Sequence, residues 1–551
     1  MRRFATVLVA VALFRCGSEE SGPGPGAAPD SGSAATGGRA GGSPDASSGG
    51  SGGSAGTASP TGGSGGRADS GPPQGYPDGF SPDGAPPKVG QPGCGFATAA
   101  FCDMFEGPSH RRGRAGELDS LFWSAGRNQG QLSTTRAMGI GMAVVPECRP
   151  GWPTHVWPDG DTLICNPTAN VASQHLLVGA AAQNYGQNGY RIRQPFDFAG
   201  RTGKIVFDAT VNMLSGLHGW MSLAITEDPI SVPGYAIRGN DEGSIIPKNA
   251  VEVHFINVGD MTRIGARNVH IFRNYADTVY EPQQDKAPSF KPGKLNRYEF
   301  LVSEQGIELT VTAPSEDGVT FAAPEYRFKV DASIPFSRGY VHVSVHNHAM
   351  IKYTQPDAQS AIVDATVAQI DNVGFDGPVI GNWREYEVPD ALVEFHEPLG
   401  DPYNPENKGY DIGYVVGDVA QGPKQVLHLT GVDTTNAANA TLAWTAWINA
   451  DPNGPTPLEN YAFRARLNGK RWLEYKFSAA ELAFFRDGPT VVDPQGAPVG
   501  DPASQGRLGL LIDVPLEDLV PGDNTVEFVT ANIPTGYPPL VSNVDLVMGT
   551  K

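Results

Sequence analysis

Apolar residues recur at every second position in one segment of this chain after another. Ile205, Phe207, Ala209 and Val211 alternate with Lys204, Val206, Asp208, Thr210 and Asn212. Val251, Val253 and Phe255 alternate with Ala250, Glu252, His254 and Ile256, and Val341, Val343 and Val345 with Tyr340, His342, Ser344 and His346. A period of two is the mark of a strand with one face in a core and the other turned away from it. Further runs at 219–226, 268–273, 297–303, 306–312 and 367–375 repeat the pattern between Gly, Pro, Asn and Asp turns. Sustained helical periodicity is absent. The chain therefore reads as all-β: a two-sheet jelly-roll sandwich over residues 93–378, followed by a second, smaller β-sandwich over 379–551. One short helix is expected in the second unit, where Ser478 and Glu481 stand three apart as a capping box. Pro521-Gly522-Asp523-Asn524 predicts a turn before the strand that starts at Thr525.

What precedes the first strand does not fold by the same rules. Met1-Arg2-Arg3 and the nearly unbroken apolar run Phe4–Phe14 read as a signal peptide, because the run is too short to span a bilayer. Cys16 follows at once, and Leu13-Phe14-Arg15-Cys16 resembles a bacterial lipoprotein signal with Cys16 as the lipidated residue. Phe14 and Arg15 stand where that signal places small residues. Residues 17–92 are dominated by Gly, Ser, Ala, Pro and Asp, as in Gly49-Gly50-Ser51-Gly52-Gly53-Ser54. With almost no apolar side chain to bury, such a segment cannot offset its backbone entropy and is expected to be a disordered tether. The remaining cysteines are Cys94, Cys102, Cys148 and Cys165. In an oxidising compartment Cys94–Cys102 and Cys148–Cys165 are the natural short-range pairs; four unpaired thiols are the alternative. The expected location is the cell envelope, lipid-anchored at the outer membrane or surface, or the extracellular space, with membrane contact only through the N-terminal anchor. A formal charge of -19 argues against nucleic acid as a partner.

Two edges of the first unit carry a resemblance. Phe101-Cys102-Asp103-Met104-Phe105-Glu106, leading to Trp123, and Ile370-Asp371-Asn372-Val373-Gly374-Phe375 resemble the first and last strands of the concanavalin A-like lectin/glucanase superfamily. Val341 to Tyr353 resembles a late strand of the same proteins. The second unit resembles galactose-binding-like sandwiches, chiefly through Leu516 to Phe528. The superfamily implies a curved sheet whose concave face holds sugar.

Taken from the residues themselves, the side opposite the core is expected to carry Lys204, Asp208, Trp220, Glu252, His254, Tyr340, His342 and His346, with Arg191 and Arg193 from a neighbouring strand. Sugars need flat apolar groups for their ring faces and hydrogen-bonding groups for their hydroxyls, and Trp220, Lys204, Asp208 and His346 suit binding. A solvated polar sheet face is the plain alternative. The endoglucanase motif E-x-D-x-E is absent, since Glu252-Val253-His254 is not followed by a second acid. A lyase would take His254 or His342 as base, Tyr340 as acid and Arg191 or Arg193 to neutralise a uronate, with Glu252 in the place of a Gln in the Q-x-H strand of jelly-roll alginate lyases. No cofactor is certain; calcium is the candidate structural ion, with Asp103 and Asp371 as ligands. The first expectation is a carbohydrate-binding protein acting on polysaccharide or oligosaccharide. The rivals are a polysaccharide lyase or glycoside hydrolase, and a structural or adhesive envelope protein.

Overall fold

The computed structural model describes residues 88–105, 114, 118–128, 143–145, 175–181, 186–213, 219–231, 234–238, 242–244, 247–257, 264–281, 296–312, 326–347, 365–381, 383–388, 414–448, 460–487, 490–498, 506–531 and 539–551. The signal segment, Cys16, nearly all of the tether and the Cys148–Cys165 pair lie outside these residues. Among the described residues no helix is long and apolar enough to cross a membrane.

The alternating segments do form strands, and they sort into two facing sheets. The first sheet runs Gln91–Gly93, Phe96–Asp103, Ala365–Asp376, Gly203–Met213, Asn296–Ser303, Gly306–Thr312 and Tyr326–Asp331 in spatial order. The second runs Val491–Val492, Ala276–Tyr280, Ile264–Arg273, Asn249–Asn257, Gly219–Thr226, Arg338–Asn347, Gly186–Ile192 and Trp123–Asn128. Val251, Val253 and Phe255, with Val341, Val343 and Val345, point from the second sheet into one core with Ile205, Phe207, Tyr298 and Phe300 from the first. The Phe207 ring stacks on Tyr298 at 4.8 Å, and Phe255 meets Tyr298 edge-on at 4.9 Å, a geometry that adds to plain area burial. Lys88 exchanges backbone hydrogen bonds with Cys102, and Cys94 and Cys102 form a disulfide.

A second sandwich follows around Leu442, Trp444, Phe463, Phe528 and Leu546. The expected helix spans Ala479–Asp487. Its capping box is closed in both directions: Ser478 N donates to Glu481 Oε2 (2.6 Å) and Glu481 N to Ser478 Oγ (3.3 Å). The strand expected from Thr525 starts three residues earlier, at Gly522, and so takes in most of the predicted turn; it spans Gly522–Thr530, and Asn524 Oδ1 accepts from Val520 N at 2.9 Å.

The sheets cross the boundary expected near residue 378. Gly234–Arg238 pairs with Gly506–Asp513 and so extends a sheet of the second sandwich. In return Val491–Val492 pairs with Ala276–Tyr280, at the edge of the first. Ala250, Phe272 and Tyr275 belong to the second hydrophobic core, and Tyr275 Oη donates to Glu481 Oε1 at 2.8 Å.

Candidate functional site

The face of the second sheet that turns away from the valines is polar, as the alternation predicts. Strand register lays its residues out in rows. One row reads Val279, His270, Glu252, Ala224, His342, Arg191 and Ser124. The next reads Asn268, His254, Ser222, Ser344, Gly189 and Gly126. The one beyond it holds the register positions of Ile256, Trp220, His346, Gln187 and Asn128. From Ser222 to Gly126 the middle row has no side chain larger than serine, while both flanking rows carry large ones. The result is a furrow in register only, a row of small side chains running across the strands toward His254 and Glu252 and closed to solvent, since Ser222 and Glu252 are 0% exposed and Ser344 1%. Rows two residues apart lie about 7 Å from one another, so the flanking rows stand about 13 Å apart.

The furrow's chemistry follows from how its groups are bonded. Thr226 Oγ1 donates to Asp228 O (2.9 Å) and lies 2.8 Å from His342 Nε2. With the hydroxyl proton committed, Nε2 of His342 must be the donor, which leaves Nδ1 as a lone-pair acceptor. Burial, with Arg191 adding to it, holds His342 well below the usual histidine range, so the ring is neutral. His342 Nδ1, Ser344 Oγ and both carboxylate oxygens of Glu252 have no hydrogen-bond partner within the protein. Glu252 Oε2 is 3.2 Å from His254 Nε2, close but off the line of a hydrogen bond. His270 gives Nδ1 to Asp277 Oδ2 at 2.8 Å, and its ring lies 4.4 Å from that of His254.

Beside the furrow the face is closed by the second sandwich. Glu385 takes Arg191 Nη2 on both oxygens at 2.6 Å, and Glu387 accepts from Arg193 Nη2 at 3.2 Å and from the backbone N of Arg114 at 2.8 Å. Arg114 also pairs with Asp545 and reaches the carbonyls of Ala125, Val388 and Val544. Burial raises Glu385, but Arg191 and Arg193 outweigh it and hold the carboxyl below its usual range. Burial pushes Asp545 up to about 7 against the pull of Arg114. Glu385, Glu387 and Asp545 are close enough together to hold a cation. Arg114, Arg191 and Arg193 already balance their charge, so the cluster is a salt-bridge network rather than a metal centre.

Several sequence expectations need correcting against this geometry. Glu252, His254, His342, His346 and Arg191 do share a face, but all are 3% exposed or less, and Tyr340 6%. They are not an open trough. Tyr340 packs edge-on to Trp383 and under the Arg191 guanidinium, and burial pushes its hydroxyl up to about 12. Arg191 and Arg193 are spent on Glu385 and Glu387, so neither is placed to neutralise a uronate. Lys204 and Asp208 belong to the other sheet altogether: Lys204 pairs with Glu299, and Asp208 takes Arg297 at 2.8 and 2.9 Å and Asn372 Nδ2 at 2.8 Å. Trp220 holds its register position beside His346, and its side chain lies outside the description. Asp103 and Asp371 act on their own loops. Asp103 accepts from Phe105 N and from Trp123 Nε1, each at 2.8 Å, and Asp371 Oδ1 accepts from Asn372 N at 2.7 Å, where a bulge puts Asn372 at φ 51°. With both Asp103 oxygens bonded to nitrogen, the pair does not fit a calcium ligand set.

Ser222, Ser344, Gly189 and Gly126, which shape the furrow, were missed by sequence reasoning. Small residues in a strand carry no signal until register places them in line.

No family model and no curated protein matches the chain. Solved structures align with it at low identity. A β-1,3-glucanase from Mycobacterium marinum is 12% identical over 50% of this chain and 98% of its own, with a TM-score of 0.27. A Bacillus licheniformis β-glucanase is 9% identical over 48% of this chain and 97% of its own (TM-score 0.23). A carbohydrate-binding module from Bacillus subtilis is 12% identical over 35% and 86% (TM-score 0.19). At such values chemistry has to be read from this chain's own side chains.

Proposed function

We propose that the protein is an exported, surface-tethered carbohydrate-binding protein that holds a segment of polysaccharide in the furrow without cleaving it. The observation that carries this reading is the row Ser222, Ser344, Gly189 and Gly126, bordered by buried polar atoms for which the protein itself supplies no partner. Each such atom costs about 1–3 kcal/mol when left bare. A hydroxyl-rich guest supplies what they lack, and with Ser222 0% and Ser344 1% exposed it reaches them only when what covers the row moves aside. Cleavage is not supported. A retaining hydrolase needs two carboxylates about 5 Å apart across the scissile bond, whereas Asp277, the other acid near Glu252, is tied to His270. The lyase set lacks a free arginine. Export and tethering rest on the leader sequence, the Cys16 signal and the low-complexity tether, and the Cys94–Cys102 disulfide fits an oxidising compartment.

Calorimetric titration of the purified protein with a panel of oligosaccharides tests the reading. Ser344→Leu fills the furrow at its centre and is expected to weaken binding by at least about tenfold, the equivalent of 1.4 kcal/mol. Unchanged affinity in a variant that keeps its melting temperature would place the sugar elsewhere. New reducing ends or unsaturated products would make the protein an enzyme. Silence across the whole panel would favour a structural or adhesive role in the envelope.

A further inference from the structure

We infer that an open cleft at one end of the first sandwich is a separate binding site for a saccharide of one or two units that carries no acidic group. The cleft is about 700 Å3 in volume and is built from two loops, the turn at Glu304 and Gln305 and residues 331–337. Glu304 and Gln305 connect the paired strands Asn296–Ser303 and Gly306–Thr312. Residues 332–337 carry the chain from Tyr326–Asp331, the last strand of the first sheet, to Arg338–Asn347 in the second. The backbone bolts the two walls together: Ala332 N donates to Gln305 O at 3.0 Å, and Ile334 N to Glu304 O at 2.9 Å. Gly306 permits the approach, since a Cβ there would run into Val330 O. Phe198 N donates to Ser337 O at 2.9 Å, and Arg273 donates to Ser333 O. These bonds fix the width of the cleft before a ligand arrives, which lowers the cost of binding.

The lining combines the two kinds of group a sugar needs. Ile334 and Phe336 are buried and Pro335 half-buried, and together they supply an apolar surface for the C–H face of a ring. Around them stand the exposed Glu304, Gln305 and Ser333 and the half-buried Ser337. The side chains of these four bond to no other described residue, so their polar atoms are available to a guest. Glu304 only accepts, while Gln305 and the two serines both accept and donate, and a sugar hydroxyl does both as well. Charge then limits the guest. Glu304 and Asp331 are the charged residues of the lining, and both are acids. The neighbouring cations are engaged, Lys329 with Asp331 at 2.6 Å and Arg273 with Ser333 O. A uronate or a sulfated sugar would set like charge against like here, which disfavours it. Unlike the closed row on the second sheet, the cleft is reached without anything moving, so it stands or falls apart from that row.

The test is saturation-transfer NMR and calorimetry on the purified protein with cellobiose, lactose and N,N′-diacetylchitobiose, and with digalacturonate as the acidic comparison. At least one of the first three is expected to bind at about millimolar affinity, and digalacturonate at least about tenfold more weakly. The double change Glu304→Ala with Gln305→Ala removes two exposed side chains from a turn whose backbone bonds remain. It should weaken the best disaccharide at least about tenfold while the melting temperature is kept. Ser333→Trp fills the cleft from an exposed position and should weaken it as much. Loss of binding in both variants supports the cleft, whatever Ser344→Leu does to longer oligosaccharides. If disaccharide binding falls in Ser344→Leu and survives both cleft variants, the sugar sits on the second sheet: the cleft is overturned and the reading above stands. The cleft is also overturned if none of the three disaccharides binds at up to about 10 mM, or if digalacturonate binds as tightly as they do.

Discussion

Trp123→Ala is expected to lower the stability of the protein by about 4–7 kcal/mol, a large part of the margin by which a native domain exceeds its unfolded state. Trp123 is fully buried, meeting Phe101 edge-on at 5.8 Å and Phe105 at 6.0 Å, and its indole N–H is one of the two donors on Asp103. Removing the ring leaves a cavity and deprives a buried carboxylate of a bond at the same time. Trp123→Phe separates the two losses, because it retains most of the packing. Burial raises Asp103 to about 6, against an unfolded value of 3.8, even with the Trp123 and Phe105 bonds pulling it down. A folded-state value above the unfolded one means that the native state holds more protons between them, so this group's contribution to stability is greatest below about pH 4 and declines as pH rises through 6. Loss of the indole donor raises Asp103 further and steepens that decline. Urea titrations at about pH 4 and pH 7 should therefore show Trp123→Phe costing more at the higher pH. An equal cost at both would mean that the indole does not sense the charge on Asp103.

How much of this was legible in the sequence depended on the range of the interactions. The capping box of Ser478 and Glu481 and the Cys94–Cys102 disulfide are contacts of three and eight residues, and both can be read from the chain alone. The alternation about Val251, Val253 and Phe255 also identified a strand and its two faces, because the pleat ties side-chain direction to residue parity. Parity says nothing about which sheet a strand joins. Lys204 and Asp208 alternate just as Glu252 and His254 do, yet they stand on the first sheet and pair with Glu299 and Arg297. Nor does it say what covers a face. The polar side chains about Arg191 were expected in the open, and they are closed over by residues 194 to 431 positions away in sequence, Glu385 on Arg191 and Asp545 on Arg114. The furrow is the extreme case. Its floor is made by residues whose importance is that they lack bulk, and only the register among the strands at 123–128, 186–192, 219–226 and 338–347 brings them into line.

Arg191→Met is expected to cost about 3–5 kcal/mol, while the double change Arg191→Met with Glu385→Leu should recover most of that loss. Arg191 lends both short bonds of its Nη2 to Glu385, and Arg193 Nε approaches the same carboxylate only to 3.9 Å. Without Arg191, Glu385 is left as a buried charge with one distant cation. Removing the pair together replaces two desolvated charges by two apolar side chains, and such exchanges are often close to neutral. Chemical denaturation of the two single variants and the double variant closes the cycle, and a coupling well above 1 kcal/mol is expected between residues in direct contact. The same cycle bears on function. An arginine held for a uronate would be dispensable to the fold and its loss would appear in ligand affinity alone; an arginine that fastens one sandwich to the other shows its loss in stability first. Additive single effects, with affinity for an acidic glycan lost in Arg191→Met and stability untouched, would return Arg191 to the binding face and reopen the elimination chemistry that its pairing with Glu385 now closes.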